Sequence, residues 1–350
     1  MAIAGNLLRN LLGGEMVGDG GYYFEEKTSP ADADLVIVSA PWSVTSDYGH
    51  GATYTPDAVI DASAYSNLYD VESGFSAEGR VATAEIDYNI QEYSEHLGRD
   101  AERIANRSFD GATPGVEYAT RKVKHINEGF AEMHKSIYKQ TKHWVSQGKT
   151  VAVIGGDHSV SLGAVKAMAE CYNDLGVLFI DAHADYAQEG ETFAYSHRTI
   201  ARNIVEEIPS VSRLVEVGVR DIDKAELDLL LANDKVELFL AERVAAKRFE
   251  GESWGNLCRE MVKKLPQKVY VSLDIDALKI EFCTHTNSPV PGGMTFDEVV
   301  YLVNCVVKSG REIVGFDITE VVSNIDDKMD AIVAVRLLTK MIVATLNKSK

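Results

Sequence analysis

Short runs of β-branched and aliphatic residues alternate with longer stretches of helical period along the chain, a pattern that fits βα units stacked on a largely parallel sheet. It predicts an α/β fold with strands over 34–40, 150–155, 176–181, 213–219, 236–240, 268–276 and 312–319. Helical periodicity predicts helices over 117–147, 159–172, 196–206, 224–232, 253–264, 295–308 and 328–346. Residues 1–33, Gly-rich and acidic after an apolar helix candidate at 3–12, read as an N-terminal arm. Residues 72–117 are punctuated by Gly, Asn and Asp and read as an irregular surface excursion. No domain boundary interrupts the rest, so residues 34–350 are expected to form one domain.

At 350 residues and 45% hydrophobic content, the chain can bury a substantial core. Its formal charge of −18 argues against nucleic acid or an anionic membrane as partner and is compatible with a cationic substrate. Cys171, Cys258, Cys283 and Cys305 are scattered without a Cys-x-x-Cys pair, which fits a reducing cytoplasm better than a disulfide framework or a thiolate zinc site. No stretch approaches the ~20 apolar residues needed to cross a bilayer. A soluble cytoplasmic protein is expected.

In a parallel sheet the functional edge lies at the C-terminal ends of the strands, because helices cover both faces. Three predicted strands end in Gly155-Gly156-Asp157-His158-Ser159, Asp181-Ala182-His183-Ala184-Asp185 and Ser272-Leu273-Asp274-Ile275-Asp276. Residues i, i+2 and i+4 of an extended segment point the same way, so Asp181, His183 and Asp185 share one side and Asp274 and Asp276 another. Taken alone, Gly155-Gly156 is only a tight turn and Asp157 a turn residue. Four carboxylates converging with His158 and His183 are different: they repel and raise one another's pKa unless cations neutralise them, and two divalent metals would balance the set. Carboxylate and imidazole donors without thiolate favour Mn(II), with Ni(II), Co(II), Fe(II) and Zn(II) as alternatives. Two ions about 3.5–4 Å apart can share a bridging water and supply hydroxide at neutral pH, the chemistry of a hydrolase.

At these residues the sequence resembles the ureohydrolase family, which includes arginases, agmatinases, guanidinobutyrases and formiminoglutamases. The resemblance runs from about Asp34 to the C-terminus. It extends to Gly51-Ala52-Thr53-Tyr54-Thr55-Pro56-Asp57-Ala58-Val59, Tyr195-Ser196-His197, the Thr286–Thr295 stretch and Phe316-Asp317-Ile318-Thr319-Glu320-Val321. The resemblance implies a three-layer α/β/α arginase-like fold, assembly as a homotrimer or homohexamer, and hydrolysis of a guanidino group to urea and an amine. It implies that His158, Asp181, Asp185 and Asp274 bind one metal and His183, Asp181, Asp274 and Asp276 the other. It further implies that Asp185 holds the attacking hydroxide, that His197 acts as acid/base or proton shuttle, and that Glu320 pairs with the planar guanidinium, with Thr286 also at the substrate.

Two departures bear on the substrate. Arginases usually carry Asn two residues past the Asp-x-His-x-Asp motif, where this chain has Ala187 after Tyr186, which disfavours arginine. Agmatinases commonly have Gly after the His of Ser-His, where this chain has Arg198, a residue able to bind a carboxylate if it faces the substrate, as in guanidinobutyrate. An extended N-terminus covering a neighbouring site would favour free guanidine, with nickel as its metal. The expectation is an agmatinase-like enzyme, with guanidinobutyrase, guanidinase and arginase as alternatives. A catalytically silent homologue would be expected to lose one of the six ligands, His197 or Glu320, and all are present. A single-zinc deacetylase is disfavoured by the paired Asp274 and Asp276.

Overall fold

The computed structural model describes residues 21–46, 51–105, 116–188, 193–322 and 327–347. Its centre is an eight-stranded sheet in the order β4-β1-β5-β10-β9-β6-β7-β8 with every pairing parallel. The strands are β1 (Leu35–Ala40), β4 (Val81–Thr83), β5 (Thr150–Gly155), β6 (Leu175–Ile180), β7 (Val211–Val217), β8 (Val236–Phe239), β9 (Lys268–Asp274) and β10 (Glu312–Thr319). A short antiparallel pair, β2 (Tyr69–Asp70) and β3 (Phe75–Ser76), stands apart.

The inner strands read as almost continuous apolar runs because both faces are covered. On one face Ile37, Ile154, Leu178, Val271 and Phe316 pack beneath α1 (Thr55–Ser63), α8 (Trp254–Lys263), α9 (Phe296–Lys308) and α10 (Met329–Leu346). On the other Val38, Val153, Phe179 and Tyr270 pack beneath α2 (Tyr88–Ala105), α3 (Val116–Val145), α4 (Ser161–Ala169) and α5 (Ile200–Glu207). The short helices α6 (Lys224–Leu231) and α7 (Ala241–Phe249) flank β8 in sequence. The result is the expected three-layer α/β/α arrangement. Helix starts follow ordinary capping chemistry: Thr295 and Glu298 form a capping box on α9, and the Asp223 and Ser253 side chains cap α6 and α8.

The N-terminal stretch read as an arm is anchored in its described part. Tyr23 and Phe24 are buried, the Tyr23 hydroxyl lies 2.9 Å from Ser39 Oγ, and the Phe24 N–H donates to Ser63 Oγ at 2.7 Å. The helix candidate at 3–12 lies outside the described residues. The region 72–117, expected to be irregular, contains β4 and the 18-residue helix α2, whose Ile90, Ser94, Leu97 and Ala101 are buried at helical spacing. Among the described residues no helix is long and apolar enough to cross a membrane.

Candidate metal centre

Four adjacent central strands, β5, β10, β9 and β6, end at the same edge, and each delivers a chemical group there. β5 runs into Gly156-Asp157-His158, and the turn requires glycine: a Cβ on Gly156 would fall 1.6 Å from the Trp42 carbonyl oxygen. Asp157 shapes that turn by accepting from the Val44 N–H at 3.0 Å and the Ser159 N–H at 3.1 Å. β6 runs into Asp181, β9 ends on Asp274, and Glu320 follows β10.

His158 Nδ1 lies 2.8 Å from Asp181 Oδ2, 3.3 Å from Asp185 Oδ2 and 3.4 Å from Asp274 Oδ2. His183 Nδ1 lies 3.0 Å from Asp276 Oδ2 and 3.4 Å from Asp181 Oδ1. Asp181 therefore turns one oxygen to each histidine. The six predicted ligands come together in two groups, His158 with Asp181 and Asp185, and Asp181 with His183 and Asp276, joined through Asp181, with Asp274 beside His158.

The donor set fits divalent cations. Burial, reinforced by neighbouring acids, raises Asp185, Asp274 and Asp276 above the ordinary carboxylate range. Burial also works against charge on Asp181, but hydrogen bonds from His158 and His183 hold its carboxyl low. Burial disfavours charge on His183, yet Asp181 and Asp276 push it up to about 12; Asp181, Asp185 and Asp274 likewise raise His158 against its burial. The cluster thus calls for positive charge, which metal ions supply while leaving both imidazoles neutral. Glu216 lies fully buried near Asp181, Asp185 and Glu226, and burial pushes its carboxyl well above the ordinary range.

Further contacts orient these side chains. His158 stacks on Phe179 with ring centroids 4.4 Å apart, and its Nε2 lies 2.9 Å from Ser272 Oγ. The Ser272 hydroxyl donates to Asp317 Oδ1 at 2.8 Å. Asp185 adopts a left-handed φ of 48°, fixed where its carbonyl accepts from the Ala201 and Arg202 N–H groups at the start of α5.

Around the cluster, Glu320 Oε1 accepts from the His158 N–H at 3.0 Å and Oε2 from Asn287 Nδ2 at 2.7 Å. Burial raises the Glu320 carboxyl to about 7. His197 is half-buried, with Nδ1 3.0 Å from Thr45 Oγ1, and its charge acts on both Asp185 and Glu320. The Thr286 hydroxyl donates to the Glu320 carbonyl at 3.1 Å, which makes it a support for Glu320. Arg198 is exposed and acts electrostatically on Glu226. Sequence reading did not single out Thr45, Ser272 or Asn287 as site residues.

The description "Arginase family" belongs to the family model that matches residues 33–344. An N(1)-aminopropylagmatine ureohydrolase of Thermus thermophilus is 28% identical over 303 residues, 86% of this chain and 87% of its own length. The protein of that name from Thermococcus kodakarensis is 32% identical over 313 residues, 88% of this chain and 90% of its own. Among solved structures, the proclavaminate amidino hydrolase of Streptomyces clavuligerus aligns with a TM-score of 0.71 at 21% identity, covering 96% of this chain and all of that one, 100%. The agmatine ureohydrolase of Thermoplasma volcanium aligns at 0.69 and 20% identity, covering 97% of each. At such identities these two structures speak to the fold alone.

Proposed function

The chain belongs to the arginase family of metal-dependent hydrolases, and from that premise we propose that it is an agmatinase-like ureohydrolase, converting agmatine and water to putrescine and urea. The observation that carries the reading is the junction of Glu320 with the ligand cluster: one backbone N–H, that of His158, links the carboxylate suited to a guanidinium to the residues suited to activating water. The activities of the two ureohydrolase relatives point to agmatine-type substrates, of which an aminopropyl-extended agmatine is the longer version. The exposure of Arg198 and the absence of a side-chain amide at Ala187 both favour a substrate without a carboxylate. The charge of −18 favours a cationic one.

Two Mn(II) ions, with Ni(II) as alternative, held by His158, Asp181, His183, Asp185, Asp274 and Asp276, would supply a nucleophilic hydroxide at neutral pH. Glu320 takes the planar guanidinium through two parallel N–H···O bonds and holds its carbon over the cluster. Asp185 orients the attacking water. Thr45 engages His197 Nδ1, so the proton for the departing amine passes through Nε2. Exclusion of bulk water follows from the burial of five of the six ligand side chains, His183 alone being half-buried.

An Arg198→Gly variant tests the choice of substrate. Turnover of agmatine within about twofold of the parent is expected, since surface changes away from a site have small effects. A marked gain for agmatine would instead point to an acidic substrate held by Arg198.

A further inference from the structure

We infer that Asn287 is a positioning residue for guanidinium recognition, fixing the Glu320 carboxylate and tying it to the loop that holds His197. The inference rests on Glu320 being the guanidinium acceptor. Asn287 is only 6% exposed, and its Nδ2 donates both to Glu320 Oε2 at 2.7 Å and to Ser46 Oγ at 3.1 Å. Ser46 Oγ lies 2.6 Å from Ser43 Oγ, and the adjacent Thr45 carries the hydroxyl beside His197 Nδ1. A hydrogen-bonded path across the site mouth therefore joins the guanidinium acceptor to the segment that places the acid/base residue.

Glu320 needs such support. Its φ of 59° lies in the left-handed region that side-chain-bearing residues avoid. The backbone is held there by its N–H to the Gly156 carbonyl at 2.8 Å, by Thr286 on its own carbonyl, and by the Thr55 hydroxyl on the next carbonyl, Val321. These bonds leave the terminal carboxylate torsion free, and that torsion is intrinsically soft. Two donors lock it: the His158 N–H on Oε1 and Asn287 on Oε2. An ionised carboxylate offers about two acceptor positions on each oxygen, so the lock occupies one of each pair and leaves one of each for a fork-shaped guanidinium. Of the two donors only Asn287 is a side chain. The residue at 287 thus decides whether the carboxylate stands ready in the free enzyme.

The test is steady-state urea release by metal-loaded protein on the fastest substrate among agmatine, guanidinobutyrate and guanidine, for Asn287→Ala, Asn287→Asp, Ser46→Ala and Glu320→Gln. The pairing with guanidinium exists before and during reaction, so its loss acts as uniform binding. Asn287→Ala is expected to raise KM about tenfold, the scale of one hydrogen bond to a charged group, with kcat within about threefold. The isosteric Asn287→Asp turns an acceptor on Oε2 and is expected to raise KM further; it also serves if the alanine variant fails to fold. Ser46→Ala, which cuts the path but leaves the Glu320 contact, is expected to raise KM less than Asn287→Ala, by about threefold, the scale of one neutral hydrogen bond. A parent-like KM for Asn287→Asp alongside a disabled Glu320→Gln would overturn the inference and spare the role of Glu320. Parent-like kinetics for Glu320→Gln would remove that role and the inference together.

Discussion

At the scale of single residues, Asp181 joins the two groups of the centre. One oxygen faces His158 at 2.8 Å, the other faces His183 at 3.4 Å and accepts the His183 N–H at 2.7 Å. Asp181→Asn keeps the shape but gives up the charge shared between the two groups, and Asp274→Asn removes a buried carboxylate beside His158. Each variant is expected to lose metal on dialysis and at least about a hundredfold in urea release, because the ions and the hydroxide they supply go together; elemental analysis showing full metal content with undiminished activity would refute the ligand assignment. The gathering of these side chains was legible because Asp181, His183 and Asp185, and likewise Asp274 and Asp276, lie two residues apart at the ends of apolar strands, where period-two geometry converts spacing into direction. Asn287 and Thr45 were not, because their partners Glu320 and His197 lie 33 and 152 residues away and no local pattern encodes such bonds. Ser272 stands within a quoted motif, but only the fold sets its hydroxyl between His158 and Asp317.

Among the elements, the interior of the sheet was the most legible, whereas the largely buried helix α1 was not anticipated. The long inner strands β5 and β10 match the predicted spans, since strands covered on both faces are apolar throughout. The three-residue β4 is too short to stand out, α7 has no buried residue and hence no stripe to read, and the stripe of α2 includes Ser94 and Ala101 among polar neighbours. Helix α3 contributes more than packing. Its half-buried His134 has Nε2 3.0 Å from the carbonyl of Ser159, next to His158. Burial lowers His134 to about 4, against about 6.5 when unfolded, so the native state binds the proton less readily than the unfolded one. Its contribution is complete above pH about 6.5 and is lost as pH falls through about 4. His134→Gln is accordingly expected to remove about 2–3 kcal/mol of the acid destabilisation between pH 7 and 4, measured by denaturant unfolding at each pH. An unchanged pH slope would show that His134 is not held neutral.

Over the whole molecule, the sheet edge that gathers the candidate ligands also gathers buried charge, so metal binding there is expected to stabilise the fold. Mn(II) at a hundredfold excess over its Kd is expected to add about 3 kcal/mol to stability and to raise Tm in calorimetry, and Asp181→Asn is expected to abolish that gain. A Tm indifferent to Mn(II) would mean that the cluster keeps its protons in place of ions. The alternation of strands and helices made the α/β architecture legible, and the carboxylates and histidines at the strand ends made a metal-dependent hydrolase legible. The far end of the substrate was not, because Arg198 and Ala187 acquire meaning only from where the fold puts them. The proposed reaction is cleavage of an agmatine-type substrate, a guanidinium at one end of a chain that carries an amine at the other. It is tested most directly by incubating Mn(II)-loaded protein, and in parallel Ni(II)-loaded protein, with agmatine, aminopropylagmatine, guanidinobutyrate, arginine and guanidine, and measuring urea together with the amine released. Equimolar urea and putrescine are expected from agmatine, at the highest kcat/KM of the set or second only to its aminopropyl form; urea from guanidinobutyrate or free guanidine but none from agmatine would overturn the assignment.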